Sequence, residues 1–144
     1  MVAGAVANGG VIMKPHMLTE IRNAQGDVVS TYSPGRWLTP MSSTTAATLF
    51  EDMVGVVKGG TATGMAIQGC TVGGKTGTAQ LGTEPPRSHT WIMGFAGPPG
   101  KPPTVAVAVV VLNQSGGSEA TGGRVAAPIA KAVLQTALAA QGGC

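Results

Sequence analysis

The chain has 144 residues, a mass of 14.2 kDa and a formal net charge of +3 at pH 7. Hydrophobic residues make up 43% of it and charged residues only 10%, which excludes a disordered, highly charged tail. The longest apolar run, residues 105–112, is shorter than the roughly 18–20 residues that span a bilayer. Because the basic residues form no cluster interleaved with aromatics, we expect no nucleic-acid partner.

The first predicted elements are the end of a helix and a hairpin. Residues 1–7 are small and apolar, and the Asn-Gly-Gly sequence after them is typical of a helix C-terminus. No N-cap precedes this helix, so we expect its beginning to lie elsewhere and the chain to be a fragment. Residues 17–22 and 27–32, joined by a turn, predict two antiparallel strands.

The remaining elements predict an α+β fold in which helices flank an antiparallel sheet. Residues 42–58 have the apolar spacing of an amphipathic helix that Ser42 or Ser43 can cap. Three strands follow at 71–80, 88–96 and 104–112, and a final helix is predicted over 125–140. The last strand is continuously apolar, so we expect both of its faces to be covered.

The cysteines and histidines suggest structural roles only. Cys70 and Cys144 lack the spacing of a zinc site, and two cysteines are too few for a disulfide scaffold. We expect Cys70 to be a small packed residue and Cys144 to end a flexible tail over residues 141–144. His16 and His89 have no carboxylate partner or metal-ligand spacing. The sequence therefore predicts no metal and no cofactor.

The glycine-rich stretch from Gly69 to Thr76 matches the sequence pattern of a phosphate-binding loop. Gly69, four further residues and then Gly74-Lys75-Thr76 satisfy that formula, in which backbone N–H groups cradle phosphates. The context disfavours nucleotide binding, because such a loop needs a buried apolar strand before Gly69 and a helix starting at Lys75. Neither is compatible with the neighbouring sequence.

The second interpretation places Lys75-Thr76-Gly77-Thr78 on a strand. A period of two puts Thr76 and Thr78 on one side, and Lys75 and Gly77 on the other. Two adjacent hydroxyls can donate to a carboxylate, and a largely desolvated Lys75 would attract an anionic group. Gly77 lacks a Cβ, so a ligand or a neighbouring backbone can approach it closely. The segment resembles the Lys-Thr-Gly element of penicillin-binding proteins and serine β-lactamases.

Nearly the whole chain resembles the C-terminal half of the transpeptidase domain of class B penicillin-binding proteins. We assign residues 1–140 to this portion of the domain. Five stretches carry the resemblance, in the right order and spacing: residues 5–10 with 14–16, residues 59–64, 73–79 and 90–97, and residues 122–129.

The chain departs from the family pattern by lacking the nucleophile. The family also needs a Ser-x-x-Lys and a Ser-x-Asn motif, yet none of the seven serines has Lys three residues on or Asn two residues on. Both motifs precede Lys-Thr-Gly in the family, so we expect an N-terminal remainder of the same protein to carry them. The chain would then supply one wall of an active site and be inactive alone.

The resemblance implies a peptidoglycan D,D-transpeptidase at the extracytoplasmic face of a bacterial membrane, anchored by a segment outside this chain. The serine would be acylated by stem peptides ending in D-Ala-D-Ala, and by β-lactams. Thr76 and Thr78 would bind the terminal carboxylate along Gly77, and the Thr78 N–H would help to form the oxyanion hole. Lys75 would orient the hydroxyl of the missing second motif. The alternative is a catalytically inactive, penicillin-binding sensor domain.

Overall fold

The first part of the chain forms a short helix and two small sheets, in a computed structural model that describes residues 1–116 and 119–144. Both sheets are antiparallel pairs, β1 with β4 and β2 with β3. The predicted hairpin is confirmed as β2 and β3, whereas β1 and β4 are too short to give a periodic signal. These elements are α1 (Val2–Ala7), β1 (Ile12–Met13), β2 (Glu20–Arg22), β3 (Val28–Thr31) and β4 (Arg36–Leu38).

Helix α2 (Ser43–Gly59) follows, as predicted. The Ser42 side chain accepts a hydrogen bond from the Thr45 N–H at 3.1 Å, which satisfies one of the free N–H groups of the first turn. Lys58 lies in the last turn, where a positive charge interacts favourably with the helix dipole. A short 3₁₀ helix (Thr63–Met65) then leads to the central sheet.

The central sheet has three antiparallel strands in the order β5-β6-β7, which confirms the three predicted strands. They are β5 (Thr71–Gln80), β6 (Arg87–Gly97) and β7 (Val105–Ser115). The pairing of β5 with β6 is uninterrupted, whereas the pairing of β6 with β7 shifts register between Ser88 and Thr90.

The chain ends in a helix that begins with one π-helical turn (Gly122–Ala126) and continues as α3 (Ala127–Ala139). The Thr121 hydroxyl accepts from the Arg124 N–H at 3.3 Å and so caps the turn. Pro128, which has no N–H to donate, is the second residue of α3, and α3 directly follows the π-helical turn. Among the described residues, no helix has both the length and the hydrophobicity to cross a bilayer.

Helices cover the two sides of the sheet unequally. On one side α3 packs along its length, and Ile92, Leu134 and Leu138 are buried there. On the other side α1 and α2 cover only the end around Phe95, which is fully buried with Val6 and Val54. The predicted α+β architecture is confirmed.

The expectation that both faces of β7 are covered is wrong for the described part of the chain. Burial alternates along the strand, and the residues that face α3 are half-buried. Val110 and Leu112, on the opposite side, are 40% and 59% exposed. Neither α1 nor α2 covers this end of the sheet, so the apolar residues of β7 on that side form an uncovered apolar face.

Cys70 and Cys144 form a disulfide, which corrects the interpretation of Cys70 as no more than a packed residue. The start of β5 and the C-terminal end of α3 come together, so the two Cα atoms are 5.4 Å apart, within the range that a disulfide bridges. The cysteines are 74 residues apart in sequence, and the bond joins the last residue of the predicted tail to the sheet.

Candidate active site

The Lys-Thr-Gly-Thr segment lies in the second half of β5, an outer strand of the sheet. The unbroken pairing with β6 keeps the strand regular, so successive side chains alternate between the two faces. Lys75 and Gly77 therefore lie on the incompletely covered face, and Thr76 and Thr78 lie on the face of α3. This separation agrees with the period of two in the sequence.

Lys75 is exposed, so the expectation of a largely desolvated cation is wrong for the described residues. Its Nζ donates to the backbone oxygen of Thr76 at 2.8 Å. The physical reason is the missing cover on this face of the sheet, which leaves the ammonium group in water. The positive charge is thus available to a ligand or to a segment that packs on this face.

A cavity of about 440 Å³ lies beside the motif, between β5, β6, β7 and the start of α1. Lys75, Gly77, Trp91 and Met93 line it, so it combines one cation with apolar walls. Trp91 is 46% exposed at the edge of this cavity. Such a cavity can accommodate an apolar group that carries a negative charge.

The two threonine hydroxyls of the motif have different surroundings. The Thr76 Oγ1 lies 2.7 Å from the Thr61 Oγ1, and either atom can be the donor. Thr78 is exposed, and its side chain forms no hydrogen bond within residues 1–116 and 119–144. Thr78 is therefore free to bind a ligand directly, whereas Thr76 must share its hydroxyl with a neighbour.

Two glycines support the strand from the side of α3. A Cβ on Gly122 would collide with the Trp91 carbonyl oxygen and lie 3.1 Å from the Gly77 nitrogen. A Cβ on Gly123 would collide with the Thr61 carbonyl oxygen. The turn at the start of the π-helix therefore packs on the backbone of the motif, as only glycine permits.

Sequence reasoning missed the contributions of Thr61, Gly122 and Gly123 to this site. All three lie in stretches that carry the family resemblance, but a pattern match gives no contact between them. They meet only because the end of α2 and the start of the π-helical turn both lie against β5. For Thr61, the one local signal of a role in the site is a hydroxyl residue directly after the Gly59-Gly60 pair.

The phosphate-loop alternative is wrong. Lys75 and Thr76 lie in the middle of a ten-residue strand, whereas the phosphate loop requires them at the N-terminus of a helix. Gly69 precedes this strand in a turn with a positive φ of 81°. The N–H groups that would converge on a phosphate are instead spread along a sheet.

The two histidines contact other residues of the chain. His16 stacks on Tyr32 with ring centroids 3.7 Å apart, and the His89 Nδ1 accepts from the Asn113 N–H at 3.0 Å. Within the described residues, no group of three or more His, Cys, Asp and Glu side chains is placed to hold a metal ion.

An outer strand carrying Lys-Thr-Gly, in an antiparallel sheet that packs on a C-terminal helix, is typical of penicillin-binding proteins and serine β-lactamases. The family model described as the penicillin-binding protein transpeptidase domain matches residues 2–135. The chain belongs to this family.

Curated relatives support the assignment and are much longer than this chain. The peptidoglycan D,D-transpeptidase PbpA of Mycobacterium tuberculosis is 40% identical over 139 residues. The match covers 95% of this chain and 28% of that relative. The chain thus spans little more than a quarter of the length of the relative.

Solved structures show the same fold. The D,D-transpeptidase domain of a peptidoglycan glycosyltransferase from Eggerthella lenta matches with a TM-score of 0.84 and 39% identity, over 99% of this chain and 31% of that one. Penicillin-binding protein A from M. tuberculosis, as a ceftriaxone acyl-enzyme complex, matches with a TM-score of 0.83 and 39% identity. That match covers 95% of this chain and 31% of the other.

Proposed function

We propose that this chain is the C-terminal part of the transpeptidase domain of a peptidoglycan D,D-transpeptidase and supplies one wall of its active site. The observation that carries the proposal is the accessible Lys75-Thr76-Gly77-Thr78 segment on the outer strand β5, beside a partly apolar cavity. A cation and two hydroxyls in succession suit a ligand that ends in a carboxylate. The names of the relatives support this class of reaction.

The reaction proceeds through a covalent ester. A serine in the N-terminal remainder attacks the carbonyl carbon of the penultimate D-Ala in a stem peptide. The bond to the terminal D-Ala breaks, and that residue leaves as a free amino acid after its nitrogen gains a proton. The amine of a second stem peptide then attacks the ester, forms the cross-link and regenerates the serine hydroxyl.

The residues of this chain bind and orient the donor peptide. The hydroxyls of Thr76 and Thr78 donate to its terminal carboxylate, and Gly77 lets the peptide lie close to the strand. The Thr78 N–H and the N–H of the absent serine stabilise the negative oxygen that develops at the attacked carbonyl. In other acyl-transfer enzymes, one such donor contributes on the order of 3 kcal/mol.

The N-terminal remainder of the same protein is the partner that completes the site. The exposed face around Lys75, Trp91 and Val110 supports this proposal, because it combines apolar side chains with an exposed cation. A segment with Ser-x-x-Lys and Ser-x-Asn motifs would cover this face. It would place a hydroxyl near Lys75 and remove water from the ammonium group, which strengthens its field at the carboxylate.

The proposed location is the extracytoplasmic face of a bacterial membrane, with the anchor in a segment outside this chain. The Cys70–Cys144 disulfide supports this location, because such bonds persist in oxidising compartments and are rare in the cytosol of mesophiles.

Penicillin labelling and D-Ala release together test the proposal. We expect the full-length protein to be labelled by fluorescent penicillin and to release D-Ala from a peptide ending in D-Ala-D-Ala. Labelling without D-Ala release would instead favour the sensor alternative, and a folded protein with neither property would refute both.

The chain alone provides the matched control. Residues 1–144, with a folded state verified by circular dichroism, should remain unlabelled because the nucleophile is absent. A labelled band would contradict the assignment of the nucleophile to the N-terminal remainder.

A further inference from the structure

The turn between α2 and the 3₁₀ helix places a hydroxyl against the Lys-Thr-Gly strand. Thr61 lies fifteen residues before Thr76, and their Oγ1 atoms are 2.7 Å apart. We propose that Thr61 is a positioning residue that sets the direction of the Thr76 hydroxyl proton toward the carboxylate of the substrate. This inference rests on the proposed function, because it concerns the binding of the same carboxylate.

The direction of the hydrogen bond carries the argument. A hydroxyl has one proton to donate and can accept through its oxygen, whereas an ionised carboxylate only accepts. Thr76 can therefore donate to the carboxylate only if it does not donate to Thr61. The bound state requires Thr61 to donate to Thr76, and Thr76 to donate to the ligand. In the free protein either hydroxyl can be the donor, so the anion selects one direction.

Such a chain of donors is stronger than a single hydroxyl. When Thr61 donates to the Thr76 oxygen, it polarises the Thr76 O–H bond and makes that hydroxyl a better donor. The final bond is charge-assisted, because its acceptor is a carboxylate. Thr61 thereby contributes to carboxylate binding without touching the substrate.

The backbone around Thr61 is held firmly enough for this role. The N–H groups of Gly60 and Ala62, on either side of Thr61, both donate to the Val56 carbonyl oxygen, at 3.1 and 3.2 Å. Ala62 is fully buried, and the Thr61 carbonyl oxygen lies against Gly123 so closely that a Cβ there would collide with it. A β-branched side chain has few rotamers, so a fixed backbone also fixes the hydroxyl.

Acylation rates of three variants of the full-length protein test the proposal. Thr61→Val keeps the shape but removes the hydroxyl, and we expect the second-order rate of acylation by penicillin to fall about 3- to 10-fold. Thr61→Ser restores the hydroxyl and should keep the rate within about 2-fold of the wild type. Because Thr61 acts through Thr76, adding Thr61→Val to Thr76→Val should cause no further loss.

A penicillin methyl ester separates this role from a merely structural one. The ester has no anionic group for the two hydroxyls to orient, so Thr61→Val should change its acylation rate by less than about 2-fold. Equal losses with acid and ester, or an additive double variant, would overturn the positioning role. Thr61→Ala serves as a second variant if Thr61→Val does not fold.

The outcomes distinguish this inference from the proposed function. A wild-type protein that penicillin does not acylate would refute both. If penicillin acylates Thr61→Val as fast as the wild type, only the role of Thr61 is refuted, and the transpeptidase assignment stays intact.

Discussion

The two halves of β5 differ sharply although they belong to one continuous strand. In the first half Val72 is 5% exposed, Gly73 lies against the ring of Phe95, and Gly74 lies against the Met65 sulfur. In the second half Lys75 and Thr78 are exposed. The same backbone is thus buried at one end and accessible at the other.

This difference shows how a strand can present reactive groups accurately. The buried half is fixed by packing on both faces and by the disulfide at Cys70. The accessible half inherits that position through its regular pairing with β6. A site on a rigid element holds its geometry better than a site on a loop, and here the rigidity comes from residues outside the proposed site.

Removing the disulfide should have the largest effect on the buried half. For a separation of 74 residues, the loss of the cross-link costs about 4 kcal/mol in the chain-entropy account. We expect Cys144→Ser to lower the melting temperature of the full-length protein while leaving its rate of penicillin acylation at low temperature close to wild type.

The reductant sensitivity of the same two proteins provides the control. Dithiothreitol should destabilise the wild type and leave the melting temperature of Cys144→Ser unchanged. Equal melting temperatures of the wild type and the variant under oxidising conditions would contradict a stabilising role of the bond.

Replacing Lys75, in the accessible half, should have the converse effect: reactivity should fall while stability is kept. Lys75→Ala in the full-length protein removes a cation from the carboxylate site, and we expect penicillin acylation to slow by on the order of 10²-fold. The melting temperature should change little, because the hydrogen bond of Lys75 within the described residues is a local one, to the backbone oxygen of the adjacent Thr76.

Lys101→Ala is the matched control, because Lys101 is also exposed but lines a different cavity. It should react with penicillin as fast as the wild type. Unchanged acylation of Lys75→Ala would remove Lys75 from the site.

The sequence predicted the regular elements of the fold well, because their physical causes are local. The cap at Ser42 and the alternation of side chains along β5 each depend on a few residues that are neighbours in sequence. The same local reasoning placed Lys75 and Thr76 on opposite faces of one strand. The resemblance added the family, which local patterns alone do not give.

Contacts between distant segments could not be predicted in this way. The Cys70–Cys144 bond and the Thr61–Thr76 hydrogen bond depend on where α2 and α3 end relative to β5. The exposure of Lys75 likewise depends on which segments cover a sheet face, and an apolar strand does not say what packs on it. The hydrophobic pattern of a β-strand indicates that a face is apolar, but it does not identify the segment that packs against that face.

Two glycine substitutions on the same face of β5 give the finest test of the difference between its halves. A Cβ on Gly73 would lie 2.6 Å from a ring carbon of Phe95, which is fully buried and stacks on Phe50. Such overpacking costs typically 1–3 kcal/mol, so Gly73→Ala should lower the melting temperature. A Cβ on Gly77 would lie 3.3 Å from the Trp91 Cβ, a tight contact that a shift of a few tenths of an ångström relieves, so Gly77→Ala should cost less stability than Gly73→Ala.

The expected effects on reactivity are reversed. Gly77→Ala places a methyl group where the proposed ligand would lie against the strand, so it should slow penicillin acylation more than Gly73→Ala does at a temperature where both variants are folded. Thermal unfolding and acylation rates of the two full-length variants measure both effects. If both variants shifted stability and reactivity in parallel, the two halves of β5 would act as one unit, and the buried half could not be regarded as a separate support for the accessible one.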